Sequence, residues 1–296
     1  MRILITGATG QLGWELARCI SLQGQILTPD RAELDLTDPA GVLAWLNNQK
    51  PDLIINPAAF TAVDLAEEQT DAAMAVNCNS PAEMANWCRK NDVGLVHYST
   101  DYVFNGLGDA PFLESDPTGP TNVYGQSKLA GEQAIAESDC AHWIFRTSWV
   151  YSARGKNFLN TMLRLAQSHP ELKVVDDQIG SPTPARMLAD ATALALARNS
   201  AMASDLHESK GVYHVAPRGH VSWHGFAEAI MQHRQALTGQ DSPPVRAIPT
   251  SEFPTPATRP LNSRLNVERF ETQFEMTLPD WQTGLANTIG DRFSLA

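Results

Sequence analysis

MRILITGATGQLGWELARCI, residues 1–20, contains the change of pattern that decides the fold. Ile3, Leu4 and Ile5 form a short apolar run; Gly7, Gly10 and Gly13 follow at three-residue steps, and the apolar spacing then widens to Leu12, Leu16 and Ile20. A switch from contiguous to helical spacing across glycines reads as strand, tight turn and helix. The first turn of a helix leaves backbone N–H groups unpaired, and glycines let an anion approach them with no Cβ in the way. The stretch therefore predicts a pyrophosphate site. Its spacing is G-x-x-G-x-x-G rather than the usual G-x-G-x-x-G, which also fits a sharp strand-to-helix connection with no ligand. Context favours the nucleotide, because Asp30 follows the next strand, Gln25 to Pro29, as a mononucleotide-binding half requires.

A chain of 296 residues is long enough for a large core and two lobes. Its 43% hydrophobic and 19% charged residues are those of ordinary globular proteins. A formal net charge of -11 argues against nucleic acid or an anionic membrane surface as a bulk partner. Cys19, Cys78, Cys88 and Cys140 have no metal-ligand spacing and are too sparse for a disulfide framework. Strand one directly follows Met1, and no apolar run approaches the roughly 18 residues of a membrane span, so a cytoplasmic location is expected.

Outward from the first twenty residues, strands and helices alternate. Asp38-Pro39 opens a helix carrying Val42, Leu43 and Leu46 on one face. Asp52 to Asn56, Leu95 to Ser99 and Trp143 to Thr147 read as strands, the apolar run Leu53-Ile54-Ile55 suiting one covered on both faces. Helical stretches lie at Glu67 to Asn91, interrupted near Asn79-Ser80-Pro81, and at Asn122 to Ala136. Five alternations within 150 residues predict an α/β fold with a doubly wound parallel Rossmann sheet. Residues 1–150 are taken as the dinucleotide-binding domain and 151–296 as a smaller, mixed substrate-binding lobe, with segments after 172 free to return to the first domain. Phe158 to Gln167 and Ala185 to Arg198 read as helices and Leu172 to Val175 as a strand, while the prolines from Ser242 to Arg264 predict an irregular wrapping segment.

Tyr124 and Lys128 stand four apart on a predicted helix, with Cβ atoms roughly 5 to 6 Å apart. A phenol with its ordinary pKa of about 10 is a poor acid–base group at neutral pH unless a nearby cation favours the phenolate, and Lys128 is the candidate cation. Thr100, delivered by strand four, can hydrogen-bond the same substrate oxygen. The spacing alone more often describes a half-buried tyrosine beside a solvated lysine; the glycine turn and the Ser99-Thr100 pair make the site reading the stronger one.

GATGQLG, AAFTAVDLAE (58–67), HYSTDYVFNG (97–106), NVYGQSKLAGE (122–132), RTSWVY (146–151) and RPLNSRL (259–265) together resemble the dTDP-4-dehydrorhamnose reductase family of extended short-chain dehydrogenases/reductases, over essentially the whole chain. The resemblance implies hydride transfer from NADPH or NADH to the 4-keto carbon of dTDP-4-dehydro-L-rhamnose, for cell-surface polysaccharide such as lipopolysaccharide O-antigen. It implies Tyr124 as proton donor, Lys128 on the nicotinamide ribose and Thr100 tuning the pair. Gly7, Gly10, Gln11, Leu12 and Gly13 are then at the pyrophosphate, Asp30, Asp35 and Leu36 near the adenosine, and Ala59, Phe60 and Thr61 along the cofactor. Thr100, Asp101, Trp149, Arg259, Asn262 and Ser263 become substrate contacts; for Trp149 the alternative is a core tryptophan, and for Arg259 a surface ion pair.

Asp30 suits a ribose diol and Arg31 a 2′-phosphate, so either nicotinamide fits. Some relatives bridge two subunits with magnesium held by clustered glutamates, and a homodimer is compatible with the resemblance. Glu15 matches one such position, but Arg186 stands at another, which disfavours an ion-bridged dimer of that type while leaving Mg2+ a possible cofactor. Tyr102, where related dehydratases carry a second acid, favours simple keto reduction. The competing readings are a reductase or epimerase of another nucleotide sugar, and a non-catalytic regulatory subunit of the methionine adenosyltransferase type.

Overall fold

The computed structural model describes residues 1–199 and 203–294. Its first half runs β1 (Arg2–Ile5), α1 (Gln11–Cys19), β2 (Gln25–Leu27), α2 (Pro39–Gln49), β3 (Leu53–Asn56), α3 (Val63–Glu68), α4 (Thr70–Met74), α5 (Ser80–Asn91), β4 (Gly94–Thr100), α6 (Val123–Glu137) and β5 (His142–Thr147). There follow β6 (Val150–Tyr151), α7 (Phe158–Leu165), β7 (Leu172–Val175), β8 (Ile179–Gly180), β9 (Thr183–Pro184), α8 (Ala185–Arg198), α9 (Ala203–Glu208) and β10 (Gly211–His214). The chain ends with β11 (Val221–Ser222), α10 (Trp223–Thr238), β12 (Val245–Ile248), β13 (Asn262–Ser263), α11 (Glu268–Gln273) and α12 (Trp281–Ser294).

Six strands form one parallel sheet in the order β10-β5-β4-β3-β1-β2. Side chains alternate along a strand, so an unbroken apolar run feeds two cores at once. Ile3, Ile5, Leu53, Ile55, Val96 and Phe145 face a core shared with α1 and α8, while Leu4, Ile54, Leu95 and Ile144 face one shared with α2 and α5. That two-sided burial is the doubly wound arrangement, and it carries the ends of β1, β3 and β4 to one edge of the sheet. A third core, including Leu159, Phe226, Ile230, Trp281 and Leu285, joins α7, α10 and α12.

The chain after residue 150 does not stay in one lobe: β10 returns to the central sheet beside β5, and α8 packs along α1. The predicted interruption near Asn79 is a widened π turn, Ala75–Asn79, between two α-helices. It sits where α6 crosses, and a Cβ on Gly131 would lie 2.1 Å from the Asn77 carbonyl oxygen. The proline-dense segment is less irregular than predicted, since β12 pairs with β7 and β13 with β8. No helix among the described residues is long and apolar enough to cross a membrane.

Candidate active site

The glycine turn between β1 and α1 is shaped by backbone contact. Gly7 adopts φ +57°, and Gly10 donates its N–H to the Gly7 carbonyl at 2.9 Å. A Cβ on Gly13 would lie 2.2 Å from that same carbonyl oxygen, so only glycine lets α1 start this close to the turn. No side chain caps α1, whose N-cap is Gly10, and its first N–H groups are left for an anion.

A cleft of about 470 Å³ opens beside the turn, and Gly7, Asp30, Asp35, Leu36, Ala59 and Phe60 line it, together with Thr6, Arg31 and Ala58. These residues fit a dinucleotide: an uncapped helix N-terminus at one end, and apolar walls with an acid–arginine pair at the other. Gly10 and Gly13 act through the turn. Leu12 is packed in the core, Gln11 accepts hydrogen bonds from Ser152 and Asn157, and Thr61 is exposed. Asp30 Oδ1 accepts the N–H groups of Ala32 and Glu33 at 2.8 and 3.0 Å. Arg31 is exposed, 3.9 Å from Asp35.

Tyr124 sits in the first turn of α6, which Asn122 caps by accepting the Gly125 N–H at 2.8 Å. Gly125 lets the helix press against Tyr102, whose carbonyl oxygen would lie 2.3 Å from a Cβ there, and the Tyr102 and Tyr124 rings meet edge to face at 5.5 Å. Burial pushes the Tyr124 phenol up to about 12, the facing Thr100 hydroxyl opposes this, and the Asp101 carboxylate adds to it. Thr100 and Asp101 follow from β4 on the same side. Asp101 is itself pushed up to about 6 by burial, against the Ser263 and Thr100 hydroxyls, and its Oδ2 has no hydrogen-bond partner among the described residues.

Lys128 is anchored within α6 and β4: its Nζ donates to the Tyr98 carbonyl at 2.6 Å and lies 3.1 Å from His97 Nε2. The side chain is 1% exposed, and burial lowers its pKa to about 8, Glu132 opposing. Glu132 is held by Arg146 in a buried bidentate pair, with contacts of 2.9 and 2.6 Å.

Of the predicted substrate contacts, Trp149 lies two residues beyond Thr147, the register partner of Thr100. It adopts φ +48°, uncommon for a bulky residue, and stacks on Trp223 at 3.6 Å. Gly180 makes room for the indole, since a Cβ there would lie 2.6 Å from it. Arg259 donates to Asp64 at 2.7 Å, the ion-pair alternative, and Asn262 donates to the Ala110 carbonyl at 2.8 Å.

Glu15 has Arg186 3.8 Å away, and Arg186 also binds Asp190 at 3.3 Å. A guanidinium in that place does not fit a glutamate-clustered cation, and the described residues hold no group of three or more acidic, histidine or cysteine side chains able to bind a metal.

A family model described as "RmlD substrate binding domain" matches residues 1–293. The chain belongs to that family. This RmlD-family chain is 46% identical over 297 residues to a dTDP-4-dehydrorhamnose reductase of Burkholderia thailandensis, covering 99% of this chain and 100% of the relative. Among solved structures it resembles a Clostridium acetobutylicum dTDP-4-dehydrorhamnose reductase with TM-score 0.89 and 36% identity, over 98% of this chain and 99% of the other. A Bacillus anthracis dTDP-4-dehydrorhamnose reductase in complex with NADP matches with TM-score 0.87 and 33% identity at the same coverages.

Sequence reasoning missed Asn56, Asn77, His97, Ser127 and Trp223. Asn77 accepts the Phe60 N–H at 2.8 Å and donates to Ser127 Oγ at 3.0 Å, tying the loop after β3 to α6. For His97 there was a signal: it is a polar residue inside β4, a strand buried along its whole length.

Proposed function

We propose that the chain is an NAD(P)H-dependent oxidoreductase that reduces the 4-keto group of dTDP-4-dehydro-β-L-rhamnose to give dTDP-β-L-rhamnose, the final step in making that activated sugar. The observation that carries the reading is the placement of Tyr124 against Thr100 at the end of β4, two strands from the uncapped glycine turn. Full-length identity with enzymes of that name supports it.

A nicotinamide held in the cleft would supply the hydride to C4. Tyr124 donates its proton to the carbonyl oxygen as that oxygen becomes an alcohol, a contribution typically worth 10²–10⁴-fold. Burial keeps the phenol protonated in the resting site. Lys128 would hold the nicotinamide ribose, and the α1 N–H groups would hold the pyrophosphate. Thr100 and Asp101 take sugar hydroxyls, Trp149 walls the sugar, and Arg259, Asn262 and Ser263 receive its far end. The reading includes a cytoplasmic location and a homodimer, the latter checked by light scattering.

The test is oxidation of NADPH and NADH by the purified protein with the 4-keto sugar nucleotide, with and without chelator, and NMR identification of the product. Stoichiometric cofactor oxidation and dTDP-rhamnose are expected. An isomer formed without net oxidation, or no turnover with either cofactor, would overturn the assignment.

A further inference from the structure

Thr6, Asn56 and His97 stand side by side across β1, β3 and β4. Asn56 and His97 are register partners, and Thr6 follows β1, which pairs with β3 on its other side. Thr6 Oγ1 lies 2.6 Å from Asn56 Oδ1, Asn56 Nδ2 lies 3.0 Å from His97 Nδ1, and His97 Nε2 lies 3.1 Å from Lys128 Nζ. All four side chains are at most 1% exposed. The row ends in the cofactor cleft, where Thr6 Oγ1 also accepts the Ala58 N–H at 3.3 Å and both residues form the wall.

We propose that His97 is a positioning residue for the reduction: it fixes the Lys128 amine through a buried hydrogen-bond row that ends at Thr6, and the sense of that row follows the charge on Lys128. An ammonium has three donors and no acceptor, whereas a neutral imidazole has one of each. Burial and Lys128 lower the His97 pKa, keeping the ring neutral. With Lys128 as a neutral amine, the donors run Thr6 to Asn56 to His97 to Lys128 and every partner is matched. With Lys128 charged, Nε2 must accept, Nδ1 must carry the proton, and the Asn56 amide must turn its oxygen to the ring and its NH2 to Thr6. Tyr98 O takes a second ammonium proton, which leaves one for the cleft.

The other groups that bear on this pair are few. Glu132, one helical turn beyond Lys128, raises the lysine pKa but is bound by Arg146 from β5; His142, also from β5, acts on His97; Tyr124 lies one turn before Lys128 on α6.

The kinetic arm rests on the proposed reaction; the spectroscopic arm does not. In 15N-histidine NMR of the wild-type protein, His97 is expected to carry its proton on Nδ1 at pH 6 and on Nε2 once pH has passed well above 8, the titration of Lys128. One tautomer throughout would overturn the proposal. In turnover, His97→Leu is expected to lower kcat at least about tenfold and to move the alkaline limb of the pH profile down by about one unit, because a buried ammonium loses an acceptor. His97→Gln, whose oxygen can accept from Lys128, is expected to recover kcat to within about threefold. Equal losses in both variants with an unmoved alkaline limb would mark a merely structural histidine and overturn the proposal. A wild-type protein that turns over no keto sugar nucleotide would remove the proposed reaction, and the tautomer measurement would still decide the role of His97.

Discussion

Thr100 Oγ1 donates to Asp101 Oδ1 at 3.0 Å and accepts the Tyr102 N–H at 3.1 Å, so its single proton is directed away from Tyr124. The remaining capacity of that hydroxyl is as an acceptor. That leaves it able to accept the proton of the facing Tyr124 phenol, whose pKa it lowers.

Tyr124→Phe removes that proton and little else, because the ring and its edge contact with Tyr102 remain. Turnover is expected to fall at least about a hundredfold with cofactor affinity within about threefold of wild type. Steady-state kinetics and a fluorescence titration with NADPH check the two halves.

Asp101 carries a cost. Its carboxyl titrates at about 6 in the folded chain against an ordinary value near 4, so the folded state holds more protons between those values. Stability on this account falls as pH rises through that window, by on the order of 3 kcal/mol at neutral pH. Asp101→Asn is expected to raise Tm at pH 7 and to flatten the pH dependence of denaturant midpoints between pH 4 and 6. Removing the carboxylate also lowers the Tyr124 pKa, since that charge is one of the causes raising it.

Gly13→Ala would set a methyl group 2.2 Å from the Gly7 carbonyl oxygen, and backbone cannot give way as a side chain can. Calorimetry is expected to show at least about a tenfold loss of cofactor affinity together with a lower Tm. Gly290→Ala is the control, in open space on α12; it is expected to be neutral or to stabilise by about 0.5–1 kcal/mol, the usual helix-interior gain.

Trp223→Ala takes away the face on which Trp149 rests. A stacked aromatic pair is worth about 0.5–1.5 kcal/mol beyond its buried area, and the unusual φ of Trp149 depends on such support. The KM for the sugar nucleotide is expected to rise about tenfold with the cofactor KM unchanged, measured by varying each in turn.

The strands of the first half were legible because both their faces are covered: Leu53-Ile54-Ile55 could hardly be anything else. The turn was legible because Gly10 and Gly13 answer to contacts with Gly7 a few residues earlier in the chain, although Gly7 itself packs on Ala58. β10 was not, since Gly211–His214 is short and only half buried at its start, and its place beside β5 depends on a partner 68 positions earlier. Spacing on one helix brought Tyr124 and Lys128 into view together. It could not show that Lys128 turns to His97, 31 residues away on β4, because that choice is made by burial and by the sheet register. The π turn was likewise invisible, because the widening is set by α6 pressing Gly131 against Asn77.

Because Gly211–His214 closes the sheet next to His142–Thr147, the chain is interlaced rather than modular. A fragment cut after Tyr151 would leave β5 as an open edge, with its backbone donors and acceptors offered to any neighbouring strand, and would strip α8 from α1. Grafting a foreign sugar-recognition half onto this nucleotide half at that point should therefore give aggregates, and altered specificity has to be sought by changing side chains within the intact polypeptide.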